Sequence, residues 1–411
     1  PDPDRHHLSI IARIIDLAMR ERGDIGIFWD FLSLPQADDC GIRSSDDQVK
    51  FHLGISWMHI LYAHRLSCVL MQNEMPANFC GPTYEDSGWC YFESTVSSVM
   101  KPHSLRLMMS RSSRLETTYQ EWCMNCRTSC VPSSPSKFLT QLTKLHFTNG
   151  ADRGTVASLF ESAFNTLTRG AEDLDLSSML WGTPQAKALA ESLPHFTSVK
   201  NLNLSNNPFG LHGVLALIPQ LAEIPCLQSL RLRRCRGLDV TQGVTCLAKT
   251  LSKLQRCSFL DLGCNPFGDA GIAALSSSLS ILPLEKIVLD GCGVSSVGLG
   301  ALKNAGLAAR PLKEGGVGAQ QLREAGFLAK ELKESGFGVQ QLRDAGFSAK
   351  DLSFLAKELK AVGYSIQDLK EADFPVKEIK EAGYDLRQLR EAGFLAQQLK
   401  AAGFLTEELK E

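Results

Sequence analysis

The chain has 411 residues and a formal net charge of -2, with 44% hydrophobic and 21% charged residues. That is the make-up of an ordinary soluble globular protein of two or three domains, and it gives no electrostatic case for nucleic acid or an anionic membrane surface. No apolar run is long enough to span a bilayer, and thirteen scattered cysteines fit free thiols in a reducing, intracellular compartment better than a disulfide framework.

Residues 1–110 read as an α/β unit. The apolar start Ile10–Ile15 is broken by Arg13 and Asp16, too soon for a span, and it does not read as a signal peptide, while a start at Pro1 rather than Met points to a processed or truncated chain. Leu8–Arg22 reads as a helix stopped by Gly23. Ile25–Phe31 reads as a buried strand. Ser45 with Gln48 forms a capping box opening a helix to His64. Leu66–Met71, Asp86–Val99 and Leu105–Met109 continue as strand, helix and strand, an alternation that predicts a parallel sheet.

Two phrases here resemble known families. Ile27-Phe28-Trp29-Asp30-Phe31-Leu32-Ser33-Leu34-Pro35-Gln36, followed by Asp47-Gln48-Val49, Met58 and Tyr62, resembles the fungal heterokaryon-incompatibility domain. Tyr84-Glu85-Asp86-Ser87-Gly88-Trp89-Cys90-Tyr91-Phe92-Glu93 resembles the Ser-x-Trp-Cys-x-x-Glu stretch of TIR domains. The resemblance implies a TIR-like parallel-sheet domain whose first strand would precede Pro1. TIR domains self-associate, and some cleave NAD, in which case Glu93 would be the catalytic carboxylate and NAD the substrate. A carboxylate beside the ribose can stabilise an oxocarbenium-like transition state. Read from its position alone, Glu93 is a helix-surface acid near an N-terminus.

Residues 111–138 form a Ser-, Thr- and Pro-rich linker holding Cys123-x-x-Cys126-x-x-x-Cys130, the one cluster with metal-like spacing. A zinc site needs four ligands and no second pair completes it, so unligated thiols are the favoured reading and no metal is expected.

Residues 139–303 carry a repeat. Its paired core positions are Leu145 and Phe147, Leu174 and Leu176, Leu202 and Leu204, Leu230 and Leu232, Leu260 and Leu262, and Ile287 and Leu289. Steps of about 28 residues mark stacked strand-helix units. Three residues beyond the second core position stand Asn207, Cys235, Asn265 and Cys292, suited to bonding the backbone where the chain turns. The alternation, with Asn207-Pro208-Phe209-Gly210 and Asn265-Pro266-Phe267-Gly268, resembles leucine-rich repeats of the ribonuclease-inhibitor type, also found in NLR-like immune receptors. It implies a horseshoe with a parallel sheet inside. The residues between the core positions, His146, Asp175, Asn203, Arg231, Asp261 and Val288, should face its concave side, with Arg233 and Arg234 beside Arg231. Such a mixed-charge face suits a protein partner, though any horseshoe needs polar residues there.

Residues 304–411 change to a period of ten, headed by Leu312, Leu322, Leu332, Leu342 and Leu352, then, after a three-residue deletion, Leu359, Leu369, Ile379, Leu389, Leu399 and Leu409. Strong helix formers fill each unit, a Gly closes most of them, Asp373 takes that place once, and an aromatic follows. The pattern resembles decapeptide tandem repeats. It predicts a solenoid of short stacked helices rather than a β-solenoid, its Lys/Glu mixture forming a solvated face. The leading expectation is a non-enzymatic scaffold or a subunit of a larger assembly. NAD cleavage at Glu93 and an innate-immune-like sensor are the alternatives, the last lacking a Gly-Lys-Ser/Thr phosphate loop.

Overall fold

A computed structural model describes residues 6–28, 33–35, 42–64, 66–75, 81–112, 115–352 and 354–404. The chain divides into two compact units, Pro1–Leu227 and Gln228–Glu411, and each is taken by itself.

In the first unit, helix α1 (His6–Arg22) ends where Gly23 takes φ +77°, its N–H donating to the Met19 carbonyl. Residues 25–28 do not form the expected strand. Among the described residues no strand pairs with them, Ile27 is exposed, and the Phe28 ring lies edge-on to Tyr62 at 6.4 Å. Residues 29–31 of that expected strand lie outside the described residues, as do Leu32 and Gln36. Helix α2 (Ser45–Ala63) is capped one residue earlier than expected: Ser44 Oγ accepts from the Asp47 N–H at 3.1 Å. Strand β1 (Val69–Met71), helix α3 (Gly88–Ser98) and strand β2 (Arg106–Met108) follow. The two strands pair in parallel, Leu70 opposite Leu107, as the βαβ order requires.

Helices α4 (Tyr119–Cys126), α5 (Pro135–Leu142) and α6 (Asp152–Gly170) close this unit's core. A run of rings threads it: Tyr91 stacks on Phe138 at 5.0 Å, Phe138 on Phe160 at 3.8 Å, and Phe164 meets Phe196 at 6.3 Å. The first expected repeat, Leu145 with Phe147, contributes no strand to the repeat ladder. His146 instead bridges to Ser87, donating its N–H to the Asp86 carbonyl at 2.8 Å, and the Phe147 ring fills the space beside Gly88. Alternating apolar residues specify a strand, not its neighbour. The ladder of this unit begins with β3 (Asp173–Asp175) and β4 (Asn201–Asn203), parallel with Leu174 opposite Leu202, backed by α7 (Thr183–Ser192) and α8 (Gly210–Leu217).

In the second unit, β5 (Ser229–Arg231), β6 (Phe259–Asp261) and β7 (Lys286–Val288) are parallel in the register Leu230, Leu260, Ile287, all three fully buried. Helices α9 (Thr241–Leu251) and α10 (Gly268–Ser280) return between them, and α11 (Ser296–Asn304) follows.

The Asn positions do what their buried, backbone-bonding role requires. Asn207 donates to the carbonyls of Leu176 and Leu204 at 2.8 and 2.9 Å and accepts from the N–H groups of Met179 and Trp181. Asn265 donates to Leu232 and Leu262 and accepts from Cys235 at 2.8 Å, while Cys292 donates its thiol to the Leu262 carbonyl at 3.1 Å.

The ten-residue units begin with α12 (Ala309–Glu314), which packs on β7. Gly315 lies against the Ile287 carbonyl so closely that a Cβ would collide with it. The last strand of the ladder is thereby covered rather than left as an open edge. Six-residue helices follow, α13 (Ala319–Glu324) through α20 (Ala396–Ala401), interrupted by a 3-10 turn at Ala349–Asp351. Each ends in a Schellman motif. Gly326 at φ +90° donates to the Arg323 carbonyl, and Phe327 to the Leu322 carbonyl at 2.9 Å. At the start, the third helical residue reaches back, as when Gln321 accepts from the Gly318 N–H at 3.1 Å.

Helix alternates contact helix: α12 packs on α14 (Ala329–Glu334), and α13 on α15 (Val339–Asp344). The Lys and Arg residues of the last turns are not simply solvated. Lys313 donates to the Gly336 carbonyl at 2.7 Å and lies 5.2 Å from the Phe337 ring centre. Lys370 repeats both contacts on Gly393 and Phe394. The cation-to-ring step of 24 residues falls to 21 where the three-residue deletion intervenes, as for Arg343 over Tyr364 at 5.5 Å.

Candidate functional site

Parallel strands with a period of two send the middle residue of each core pair away from the helices. Leu174, Leu202, Leu230, Leu260 and Ile287 are buried, while Asp175 and Arg231 are exposed and Asn203, Asp261 and Val288 half-buried. The acidic and amide members of this row serve their own turns first. Asp175, Asn203 and Asp261 each accept from the N–H two residues on, at 2.9, 3.1 and 2.9 Å. His146, expected on the same face, is exposed but pairs with Ser87 outside the ladder.

In the second unit the exposed strand face gathers two cations around an aromatic, with an ion pair beyond them. Phe259 is half-buried, with the Arg231 guanidinium 5.0 Å and the Lys286 ammonium 5.8 Å from its ring centre. Beyond it Arg233 makes a two-pronged pair with Asp290, Nη1 to Oδ1 at 2.7 Å and Nη2 to Oδ2 at 2.6 Å, and touches Cys264 Sγ at 3.0 Å. That guanidinium holds the Asp290 carboxyl below the usual carboxylate range. Phe259 and Lys286 stand two residues before the row read from the sequence. The same period of two that exposes Arg231 also exposes the position before the first core leucine, and that was the signal available.

The N-terminal candidates lie apart from this face. Glu93 sits half-buried in the second turn of α3, within electrostatic reach of Tyr84, whose phenol is pushed up by burial first and by the Glu93 charge second. The three linker cysteines diverge. Cys126 is part of a core with Ile14, Leu107, Met109 and Trp122, Cys123 is half-buried, and Cys130 is exposed. Among the described residues no group of three or more His, Cys, Asp or Glu side chains could hold a metal. No helix among them is long and apolar enough to cross a membrane.

Comparison with known proteins bears on both repeat regions. A family described as Decapeptide repeat region matches residues 297–355 and 349–411, and one described as Leucine Rich repeat matches residues 259–276. Over 119 residues the chain is 35% identical to the NACHT, LRR and PYD domains-containing protein 12 of Mus musculus, covering 28% of this chain and 11% of that relative. It is 36% identical over 112 residues to the Homo sapiens protein of the same name, covering 26% and 10%. It is 31% identical over 131 residues to the ribonuclease inhibitor of Mus musculus, covering 31% and 28%. The chain thus spans about a tenth of the first two relatives and under a third of the inhibitor. It combines leucine-rich repeats with a C-terminal decapeptide repeat region.

Proposed function

We propose that the chain is a protein-interaction scaffold, or a structural subunit of a larger assembly, which holds a partner on the exposed strand face around Phe259. The observation that carries this reading is the ring itself. A half-buried aromatic framed by Arg231 and Lys286 combines the two side-chain types that dominate binding hot spots. Arg231, Arg233, Arg234 and Lys286 outnumber Asp261 and Asp290, so the fitting partner presents acidic residues around an apolar anchor. One relative is by name an inhibitor of a ribonuclease, itself a protein target, which supports recognition of protein surfaces as the class. The decapeptide array, with its regular spacing, serves as a spacer or docking arm.

The test is capture with the intact chain beside its Phe259→Ala and Arg231→Glu variants. A partner held by the parent and lost by both variants supports the reading. An identical set of captured proteins would remove it. An innate-immune-like sensor is a narrower form of the same proposal, favoured by the match to the NACHT, LRR and PYD domains-containing protein, and it requires a partner-dependent change in assembly state.

A further inference from the structure

The first unit holds a cavity of about 830 Å³ where the linker after α4 runs beside the first repeats. Arg111, Arg127 and Lys137 line it together with Tyr91, Trp181 and Cys130, and among the described residues no carboxylate lines it. Lys137 shares its charge with Glu191 at 3.2 Å. Arg111 donates one nitrogen to the Arg127 carbonyl at 2.7 Å, which steadies the fork and leaves its other donors available. Behind the wall stands Arg106, 1% exposed, bonded through Nε and Nη2 to Ser97 and Ser94. Its Nη1 is buried with no hydrogen-bond partner among the described residues, and it stands close to Cys130, which lines the cavity. An uncompensated buried guanidinium is costly, and a bound anion would offset it.

We propose that this cavity is a binding site for a small, multiply charged oxyanion, a phosphate ester or a polycarboxylate, held in the guanidinium forks of Arg111 and Arg127 with its body against Tyr91 and Trp181. The volume is that of a small-molecule site, and guanidinium forks match two oxygens of one oxyanion. The site involves neither Glu93 nor the strand face around Phe259.

Calorimetric titration of the full chain with inorganic pyrophosphate and, separately, citrate at about 0.15 M salt tests it, since screening at that ionic strength removes mere surface attraction. Saturable binding of pyrophosphate alone identifies a phosphate ligand, of citrate alone a carboxylate ligand, and of both a general oxyanion site. Arg111→Gln and Arg127→Gln, at exposed positions, should each weaken binding about 10-fold, as expected for loss of a charge-assisted fork. The bound ion should also slow alkylation of Cys130, followed by peptide mass spectrometry. Absence of binding by both ions, or equal binding by the parent and the two Gln variants, overturns the proposal.

Discussion

Arg233 and Asp290, 57 residues apart, close a two-pronged ion pair across the turn that follows β6, passing over Gly263. A Cβ on Gly263 would collide with the Arg233 guanidinium and lie 2.7 Å from Asp290 Oδ1. A glycine just past the end of the middle strand therefore lets charges that follow the two outer strands meet. Gly263→Ala should abolish the Arg233–Asp290 coupling in a double-mutant cycle. Because the pair is partly exposed, stability should change by no more than about 1 kcal/mol. A coupling that survives the alanine would show that the pair reaches across by another route.

Asn265 is 2% exposed and serves four backbone groups at once, the Gly263 carbonyl at a longer 3.4 Å. Asn265→Ala would strand the Leu232 carbonyl and the Cys235 N–H and leave the Leu262 carbonyl to the Cys292 thiol alone, and urea unfolding should show a loss of about 2–4 kcal/mol. Asn265→Cys should cost less, because Cys292 already satisfies the Leu262 carbonyl from the equivalent position. Equal losses in the two variants would mean that volume, not hydrogen bonding, sets the cost.

The join between ladder and decapeptide array rests on close approach. Gly315→Ala drives a methyl into the Ile287 carbonyl and should destabilise the second unit by more than about 2 kcal/mol, read from hydrogen exchange in β7 and α12. Asp373, at φ +59°, holds the left-handed turn that glycine takes in its neighbours. Asp373→Gly should stabilise by roughly 0.5–1 kcal/mol, measured by thermal unfolding. A loss of stability would mean that the aspartate side chain contributes more than its backbone strain costs.

Burial pushes the thiols of Cys68, Cys257 and Cys292 up to about 11 and that of Cys126 up to about 12, from an ordinary 9.0. Between those limits the unfolded chain has lost these protons while the folded chain keeps them. The unfolded state then binds fewer protons, so stability falls as pH rises from about 9 towards 11. Lys101, lowered to about 8 by burial, acts oppositely between about 8 and 10.5, but it is one group against four. Urea midpoints should fall across this window, and less steeply in Cys126→Ala. A flat profile would contradict the burial of these thiols.

The NAD-cleaving reading of Glu93 has its own assay. Incubation of the chain with NAD should release no nicotinamide above buffer if recognition is the whole function. Release that disappears in Glu93→Ala would establish catalysis at that carboxylate.

The ladder was legible because its period repeats the same burial at Leu174, Leu202, Leu230, Leu260 and Ile287, and local spacing alone sets that burial. Pairing choices are non-local, so Leu145 and Phe147 read as a repeat although His146 pairs with Ser87. The decapeptide helices and their glycine stops were equally readable. Their Lys and Arg residues read as a solvated face because the carbonyl and ring they meet lie more than two units ahead, beyond any helical spacing. On the candidate face Arg231 and Asp261 were found from the strand period. Phe259 was missed because an apolar residue next to a core leucine reads as more core. The cavity beside the linker depends on tertiary folding of Arg111, Arg127 and Trp181, which no spacing links.

Placing a photo-crosslinking amino acid at half-buried position 259, and a second at the equally half-buried Ser276 on the helical side, tests the central claim most directly. The expected result is a protein adduct formed from position 259 in the native source and absent from position 276. Adducts from position 276 alone, or none from position 259, would contradict recognition through the strand face.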